Sequence, residues 1–337
     1  MENIKRNSVI ALFILIGISL LIWTFKQISF EEIKKVFFYS EHKYVLLFVL
    51  FSFLIIFLHT YRWKIIIGTV GHNISIFKLL SYKIAGMSVS FITPGAKVGG
   101  EPVRAMLLQK HGIEFHKGLS TVITDKIVDL SSQGVLFVVA AIVAITTVAM
   151  PKDMLILLII TTLFFAGMII YVYYQIFNDR NLFLRLFRKL KMNKLKIFKN
   201  TENKIIEFER IIVKFHKEDN KEFYLAMIVT MLAWILMFGE YYFALMILNQ
   251  FGVSVMQVFM IITMMGAAYL MPVPMALGVF EAGQVMIFKI LGLGAAVGIG
   301  LAMVIRARDT LICLIGLSIL GLNGLNWKTI KKKEELF

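Results

Sequence analysis

Six ionisable residues sit inside otherwise apolar runs: Asp125, Lys126 and Asp129 in one, Arg306, Arg308 and Asp309 in another. Each such charge costs about 2.5–3.5 kcal/mol to insert at the centre of a bilayer. Charges that persist there face the protein interior, pair with one another and mark pathways or sites. Asp125 follows the start of its run at position 117 by eight residues, about 12 Å at 1.5 Å per residue. Asp125 and Asp129 are four apart and share one helix face. Arg306 can pair with Asp309 in its own helix or with carboxylates of the earlier run. Two chemistries fit: buried pairs that pin helices together, or a polar site that opens to hold a charged group. Four further residues belong to this reading. Glu101 and Glu281 each open a helix arm, where a carboxylate is favoured by exposed N–H groups and the helix dipole. Arg104, three residues past Glu101, either pairs with it or binds phosphate bidentately. Lys97 can reach the same phosphate.

Soluble catalytic chemistry is not expected. The sequence has no phosphate-binding loop of the G-x-x-x-x-G-K-[ST] kind. His111 and His116 have no third ligand nearby in sequence, and Lys126 beside Asp125 argues against a divalent ion. No metal, cofactor or catalytic residue is assigned. Cys313 is the single cysteine, so no disulfide framework exists.

The elements that must position these charges are interrupted. The stretch Thr93-Pro94-Gly95-Ala96-Lys97-Val98-Gly99-Gly100-Glu101-Pro102 cannot continue a helix, because each Pro lacks an N–H and the glycines weaken helix further. A second stretch, Met271-Pro272-Val273-Pro274-Met275-Ala276-Leu277-Gly278-Val279-Phe280-Glu281, resembles it. Pro94 precedes Glu101 by seven residues, and Pro274 precedes Glu281 by seven. The offset of 180 also carries Lys126 onto Arg306 and Asp129 onto Asp309. Four rare polar or breaking positions in one ungapped register indicate an internal repeat. Backbone freed by such a break at membrane depth is tolerated only within protein or beside a water-filled cavity.

The composition fixes the class. Of 337 residues 59% are hydrophobic and 17% charged, with a mean hydropathy of +0.80. Soluble domains have about 45–50% apolar and 25% charged residues. The expected fold is an all-α integral membrane protein forming one polytopic domain. Its parts are an N-terminal helix and loop (1–43), a first repeat (44–147), a span with a basic loop (154–222) and a second repeat (223–325). Six spans are expected near 8–25, 44–61, 117–147, 154–177, 223–249 and 295–321, each near the roughly 20 apolar residues that a crossing needs. The first reads as a retained helix rather than a signal peptide, since no small-residue cleavage site follows. The regions 75–112 and 255–293 are expected as re-entrant helical hairpins broken at Pro94, Gly95, Gly99 and Gly100, and at Pro272, Pro274 and Gly278. The alternative is eight full spans.

The net charge of +15 does not point to nucleic acid, because the bases flank apolar runs. The 178–222 loop alone carries thirteen Lys and Arg. Placing it inside puts both termini in the cytoplasm, with Arg62 and Lys64 also inside. The two repeats are then inverted, and matched breaks in inverted halves point to a transporter binding site. Within the loop, Leu182, Leu186, Leu190, Ile205, Phe208, Ile212 and Phe215 fall at helical spacing. They read either as interfacial helices on anionic headgroups or as a solvated connector with a small apolar face.

The segments Thr93-Pro94-Gly95…Gly99-Gly100-Glu101-Pro102-Val103-Arg104 and Pro272-Val273-Pro274…Leu277-Gly278-Val279-Phe280-Glu281-Ala282 resemble the two signature segments of the lysylphosphatidylglycerol synthase transmembrane region, the UPF0104 or flippase-like family. The resemblance covers roughly 10–325. It implies a membrane protein related to the domain that moves aminoacylated phosphatidylglycerol between leaflets. Met275-Ala276 stands where the resemblance leads one to expect glycines, which implies a less pliable second break. Twelve residues follow Leu325, too few for the aminoacyl-transferase domain of fused members, so lysyl-lipid synthesis by this chain is not expected. The lipid stays open: an anionic or aminoacylated phospholipid, a polyprenyl-linked lipid or an archaeal lipid.

The expectation is therefore a non-enzymatic lipid translocase of the cell membrane, with the headgroup passing between the hairpins. The alternatives are a proton-coupled transporter of a small solute using Asp125, Asp129 or Asp309, and a non-transporting membrane partner of a lipid synthase or glycosyltransferase.

Overall fold

The computed structural model describes residues 31, 41–93, 99–147, 152–178, 182–189, 202–271 and 273–322. The expected span at 8–25, the break residues Pro94, Gly95, Lys97 and Pro272, and the basic tail lie outside the described residues. Eleven α-helices occur among the described residues: α1 (His42–Thr69), α2 (Ile76–Ile92), α3 (Glu101–Leu108), α4 (Phe115–Thr147), α5 (Lys152–Phe177), α6 (Leu182–Lys189), α7 (Glu202–Lys217), α8 (Asn220–Ile247), α9 (Val255–Leu270), α10 (Val279–Ile290) and α11 (Ala295–Leu322). No strand occurs among them. Two compact units result, one of Met1–Ile56, Met87–Gly100 and Ala233–Ile315, the other of Phe57–Gly86, Glu101–Leu232 and Gly316–Phe337.

The chain is all-α, and its outward side chains are those of a membrane protein. Three helices are long and apolar enough to cross a membrane among the described residues: His42–Thr69, Phe115–Val143 and Asn220–Ile247. Large apolar side chains point outward, such as Leu46 on α1, Leu163 and Ile170 on α5 and Leu311 on α11. So much exposed apolar surface would be an aggregation hazard in water and is ordinary against lipid. The 28-residue α11 has spanning length but carries Arg306, Arg308 and Asp309.

The first expected break is observed as an interruption between α2 and α3, and the second between α9 and α10. The order long helix, medium helix, break, short helix, long helix occurs at α1–α4 and again at α8–α11. Matching details recur 180 residues apart. Gly112 and Gly292 both take left-handed φ, at 76° and 71°. Gly118 and Gly298 both sit where a side chain would strike the preceding helix. A Cβ at Gly118 would lie 3.3 Å from the Ala105 carbonyl oxygen, and one at Gly298 would lie 2.8 Å from that of Gln284.

One boundary differs from expectation. The span near 44–61 does not stop before Arg62, because α1 continues to Thr69. Arg62 is 1% exposed. Its charge is met by carboxylates inside the second unit, so it has no need to lie beyond a helix end.

In the second unit, α4 packs against α3, α5 and α7, and α6 packs against α7. The apolar stripe described in the basic loop thus faces protein. Phe208 and Ile212 of α7 form a core with Ile176 of α5, joined by Leu119, Ile123 and Ile127 of α4. Phe215 packs with Ile66, Val128 and Ala226. The apolar stripe covers protein, and Lys204, Arg210 and Lys214 remain exposed on the other side. Glu209 of α7 is buried and caps α6: Oε1 accepts from the Phe183 N–H at 2.7 Å and Oε2 from the Leu184 N–H at 3.3 Å. Burial pushes its carboxyl up, and the two backbone amides oppose that shift.

This cap is testable. Glu209→Ala removes a side-chain cap of a kind worth about 0.5–2 kcal/mol. Hydrogen exchange should rise across 182–189 and stay unchanged across α10.

Candidate functional site

Each unit holds a buried network of ionised side chains. In the second unit the centre is Asp125, 2% exposed, on α4. Three cations converge on its two oxygens. Arg62 of α1 donates from Nε to Oδ1 at 2.7 Å. Lys83 of α2 donates from Nζ to Oδ2 at 2.9 Å, and Arg104 of α3 donates from Nη2 to the same oxygen at 2.9 Å. The C-terminal half of α3, at Ala105 and Leu108, can approach α4 because Gly118 has no side chain. The Arg104 guanidinium also lies 3.9 Å from the centre of the Trp63 ring, a cation–π geometry. Asp129, one turn along α4, accepts from Arg62 Nη1 at 3.1 Å, and the His59 ring lies 3.7 Å from it. Lys126 pairs with Glu101 at 3.5 Å.

The charges in this network do not balance. Among the described residues, the carboxylates that Arg62, Lys83, Arg104 and Lys126 meet are Asp125, Asp129 and Glu101. Among the described residues three groups are left incomplete: Arg104 Nε, Glu101 Oε2 and His59 Nδ1 are buried with no hydrogen-bond partner. A buried network with one surplus cation and an unused N–H donor can accept an anion, and a guanidinium suits a phosphate.

In the first unit α11 supplies the bases. Arg306 donates from Nε to Glu281 Oε1 at 2.7 Å. Its Nη1 reaches the Met275 carbonyl at 2.5 Å and its Nη2 the Ala276 carbonyl at 3.3 Å. Glu281 Oε2 accepts from the Gly278 N–H at 2.8 Å, which caps α10. Arg308 donates to Asp309 Oδ1 from Nε at 3.0 Å and Nη2 at 2.8 Å, and to Glu240 Oε1 from Nη1 at 2.5 Å. Tyr269 donates to Asp309 Oδ2 at 2.8 Å, and Ser52 donates to Glu240. Here two bases face three carboxylates.

These contacts correct two expected pairings. Arg104 takes Asp125 rather than Glu101. Arg306 takes neither Asp309 nor a carboxylate of the earlier run; it takes Glu281. The reason is the close approach of α10 and α11 at Gly298, which sets Glu281 opposite Arg306, while Asp309 turns to Arg308 and Tyr269. The ten expected site residues thus divide. Glu101, Arg104, Asp125, Lys126 and Asp129 gather in one unit, and Glu281, Arg306, Arg308 and Asp309 in the other. Lys97 lies outside the described residues.

Sequence reasoning missed Arg62, Lys83, His59, Glu240 and Tyr269. Arg62 and Lys83 sit near the ends of apolar runs and pass for flanking loop bases. Glu240 was readable, because a lone carboxylate within the apolar run 223–249 meets the same cost argument as Asp125.

The break positions are explained locally. Gly99 approaches Thr93 so closely that a Cβ would lie 1.8 Å from its Oγ1 and 2.7 Å from its Cβ. The Gly100 N–H donates to Ser90 Oγ at 2.8 Å. At the second break Met275 and Ala276 take φ of 57° and 48°, the left-handed region that disfavours side chains. Arg306 holds both of their carbonyls, so this backbone is fastened in place.

The lysylphosphatidylglycerol synthase transmembrane-region model matches residues 9–316. A UPF0104 membrane protein of Pyrococcus horikoshii is 22% identical over 307 residues, covering 88% of this chain and 91% of the relative. Another, of Methanothermobacter thermautotrophicus, is 24% identical over 313 residues, covering 88% and 90%. A third, of Methanocaldococcus jannaschii, is 32% identical over 104 residues, covering 30% and 31%. No solved structure matches the chain.

The strained break gives a sharp expectation. Replacing Met275 or Ala276 with Gly relieves a left-handed backbone that costs about 1–2 kcal/mol per side-chain-bearing residue. Part of that gain is offset by the greater freedom of Gly in the unfolded chain. Each variant should raise the thermal midpoint, whereas Gly99→Ala should lower it.

Proposed function

Because the chain belongs to the lysylphosphatidylglycerol synthase transmembrane-region family, we propose that it translocates a lipid with an anionic headgroup between the leaflets of the cell membrane. The observation that carries this reading is the network around Asp125. Its centre of Asp125, Arg62 and Arg104 is buried, it holds one more cation than carboxylate among the described residues, and the Arg104 Nε–H has no partner among them. A headgroup phosphate would supply the missing negative charge and accept from Arg104. Arg62 and Lys83 would keep Asp125 satisfied while Arg104 is shared. The hydrocarbon tails would stay in lipid.

The same reading places the two broken regions as re-entrant hairpins in inverted repeats, with both termini in the cytoplasm. It makes the chain a mover rather than a maker of lipid, and its lipid an anionic or aminoacylated phospholipid or a polyprenyl-linked one. A separate synthase would supply that lipid.

Two measurements test it. Purified protein in liposomes should move a labelled anionic lipid between leaflets. Arg104→Lys keeps a cation for Asp125 but loses the planar, multi-donor fork. Transport should fall by more than about tenfold with the thermal midpoint little changed. No transport by the unmodified protein, or full transport by Arg104→Lys, overturns the proposal. For topology, a non-permeant thiol reagent on intact cells should label Gln250→Cys and leave Lys194→Cys untouched. Labelling at 194 removes the inverted arrangement.

A further inference from the structure

The pair α9 and α10 in the first unit encloses a groove of about 450 Å³ that plays no part in either ion-pair network. Its size falls within the usual range of ligand pockets, about 300–1,000 Å³. Small residues on both helices make the room: Ala267 and Ala268 on α9, Ala282 and Gly283 on α10. At Gly283 the helices approach so closely that a Cβ would lie 3.3 Å from Met264 Cγ. Three methionines line it with Val279 and Val285, and their thioethers adapt to an irregular apolar guest. Met271 and Met286 are exposed, so the groove opens on the outer surface. The lining has a single charged side chain, Lys289, exposed in the last turn of α10.

Such a groove has a direction. It is apolar along α10, a helix of 12 residues and so about 18 Å long, and cationic towards one end. A neutral apolar ligand would make no use of Lys289, and a soluble anion would make no use of the apolar length. One hydrocarbon tail with a negative group at its head uses both. We propose that this groove holds one tail of an anionic membrane lipid, with Lys289 on its phosphate. The proposal rests on the reading of the chain as a lipid-handling membrane protein. It concerns a lipid held with its tail in the groove and its phosphate at Lys289, whereas the Asp125 network concerns the headgroup in transit.

Photolabelling tests it on the full chain in liposomes. The probes are phosphatidic acid and phosphatidylcholine, each with a diazirine midway along one tail. Phosphatidic acid should label 264–271 and 279–289 more strongly than phosphatidylcholine does. Ala282→Phe, which fills the groove, should cut that labelling by about tenfold. Lys289→Gln should bring phosphatidic acid down to the phosphatidylcholine level. If Ala282→Phe does not fold, Ala267→Phe tests the same space from α9. Equal labelling by both lipids in the unmodified protein means bulk lipid only and overturns the proposal. So does labelling that neither the Phe variant nor Lys289→Gln reduces. Transport read in the same liposomes keeps the two readings apart. Intact transport with unselective labelling sinks the groove alone. Selective labelling by a protein that moves no lipid sinks translocation alone.

Discussion

One carboxylate holds the second unit together. Asp125 accepts from Arg62, Lys83 and Arg104, so a single side chain ties α1, α2 and α3 to α4. The physics makes this tie strict. Each ion lost its water on burial, and the others replace it, helped by Thr230 Oγ1 beside Arg62 and the His59 carbonyl beside Lys83. A carboxylate has two oxygens and about four acceptor sites, which is why it can serve three donors at once. The cations cannot serve one another. The path of α1 through Arg62 and the close approach at Gly118 both follow from bringing three bases to one acid.

The first unit shows the same register with the hub removed. Glu101 with Lys126 and Glu281 with Arg306 are equivalent pairs, 180 residues apart, and both form. At the next equivalent positions the sequences diverge: Arg104 corresponds to Gln284, and Asp125 to Ile305. The ion pair is gone, and Gln284 is left fully buried with neither amide atom bonded. A buried amide without partners costs roughly 1–3 kcal/mol per unmet group. In exchange this unit carries Glu240, Arg308 and Tyr269 around Asp309. Among the described residues the balance of charge within the two networks therefore reverses, with a surplus base in one and a surplus acid in the other.

The two breaks reach their shape by different means. At the first, glycine provides room where Gly99 meets Thr93. At the second, Met275 and Ala276 occupy left-handed backbone that glycine would enter freely, and Arg306 fastens their carbonyls. Arg306 serves as a backbone clamp as well as the partner of Glu281, so its charge is largely committed to structure.

Much of this protein was legible from sequence. Mean hydropathy and apolar runs set the all-α membrane class, because a membrane leaves the backbone little choice but helix. Pro and Gly placed both breaks, since their backbone limits are local. The cost of burying charge picked out Asp125, Lys126, Asp129, Arg306, Arg308 and Asp309, since that cost depends on the run of residues alone. The partners were not legible. Whether Arg62 ends a helix or enters a core depends on a carboxylate 63 residues away. Whether the stripe on α7 meets lipid or protein depends on α4 and α5. Arg306 chose Glu281 because two helices touch at Gly298. Pairing is a matter of distance in space, and only the packing of the helices sets that distance.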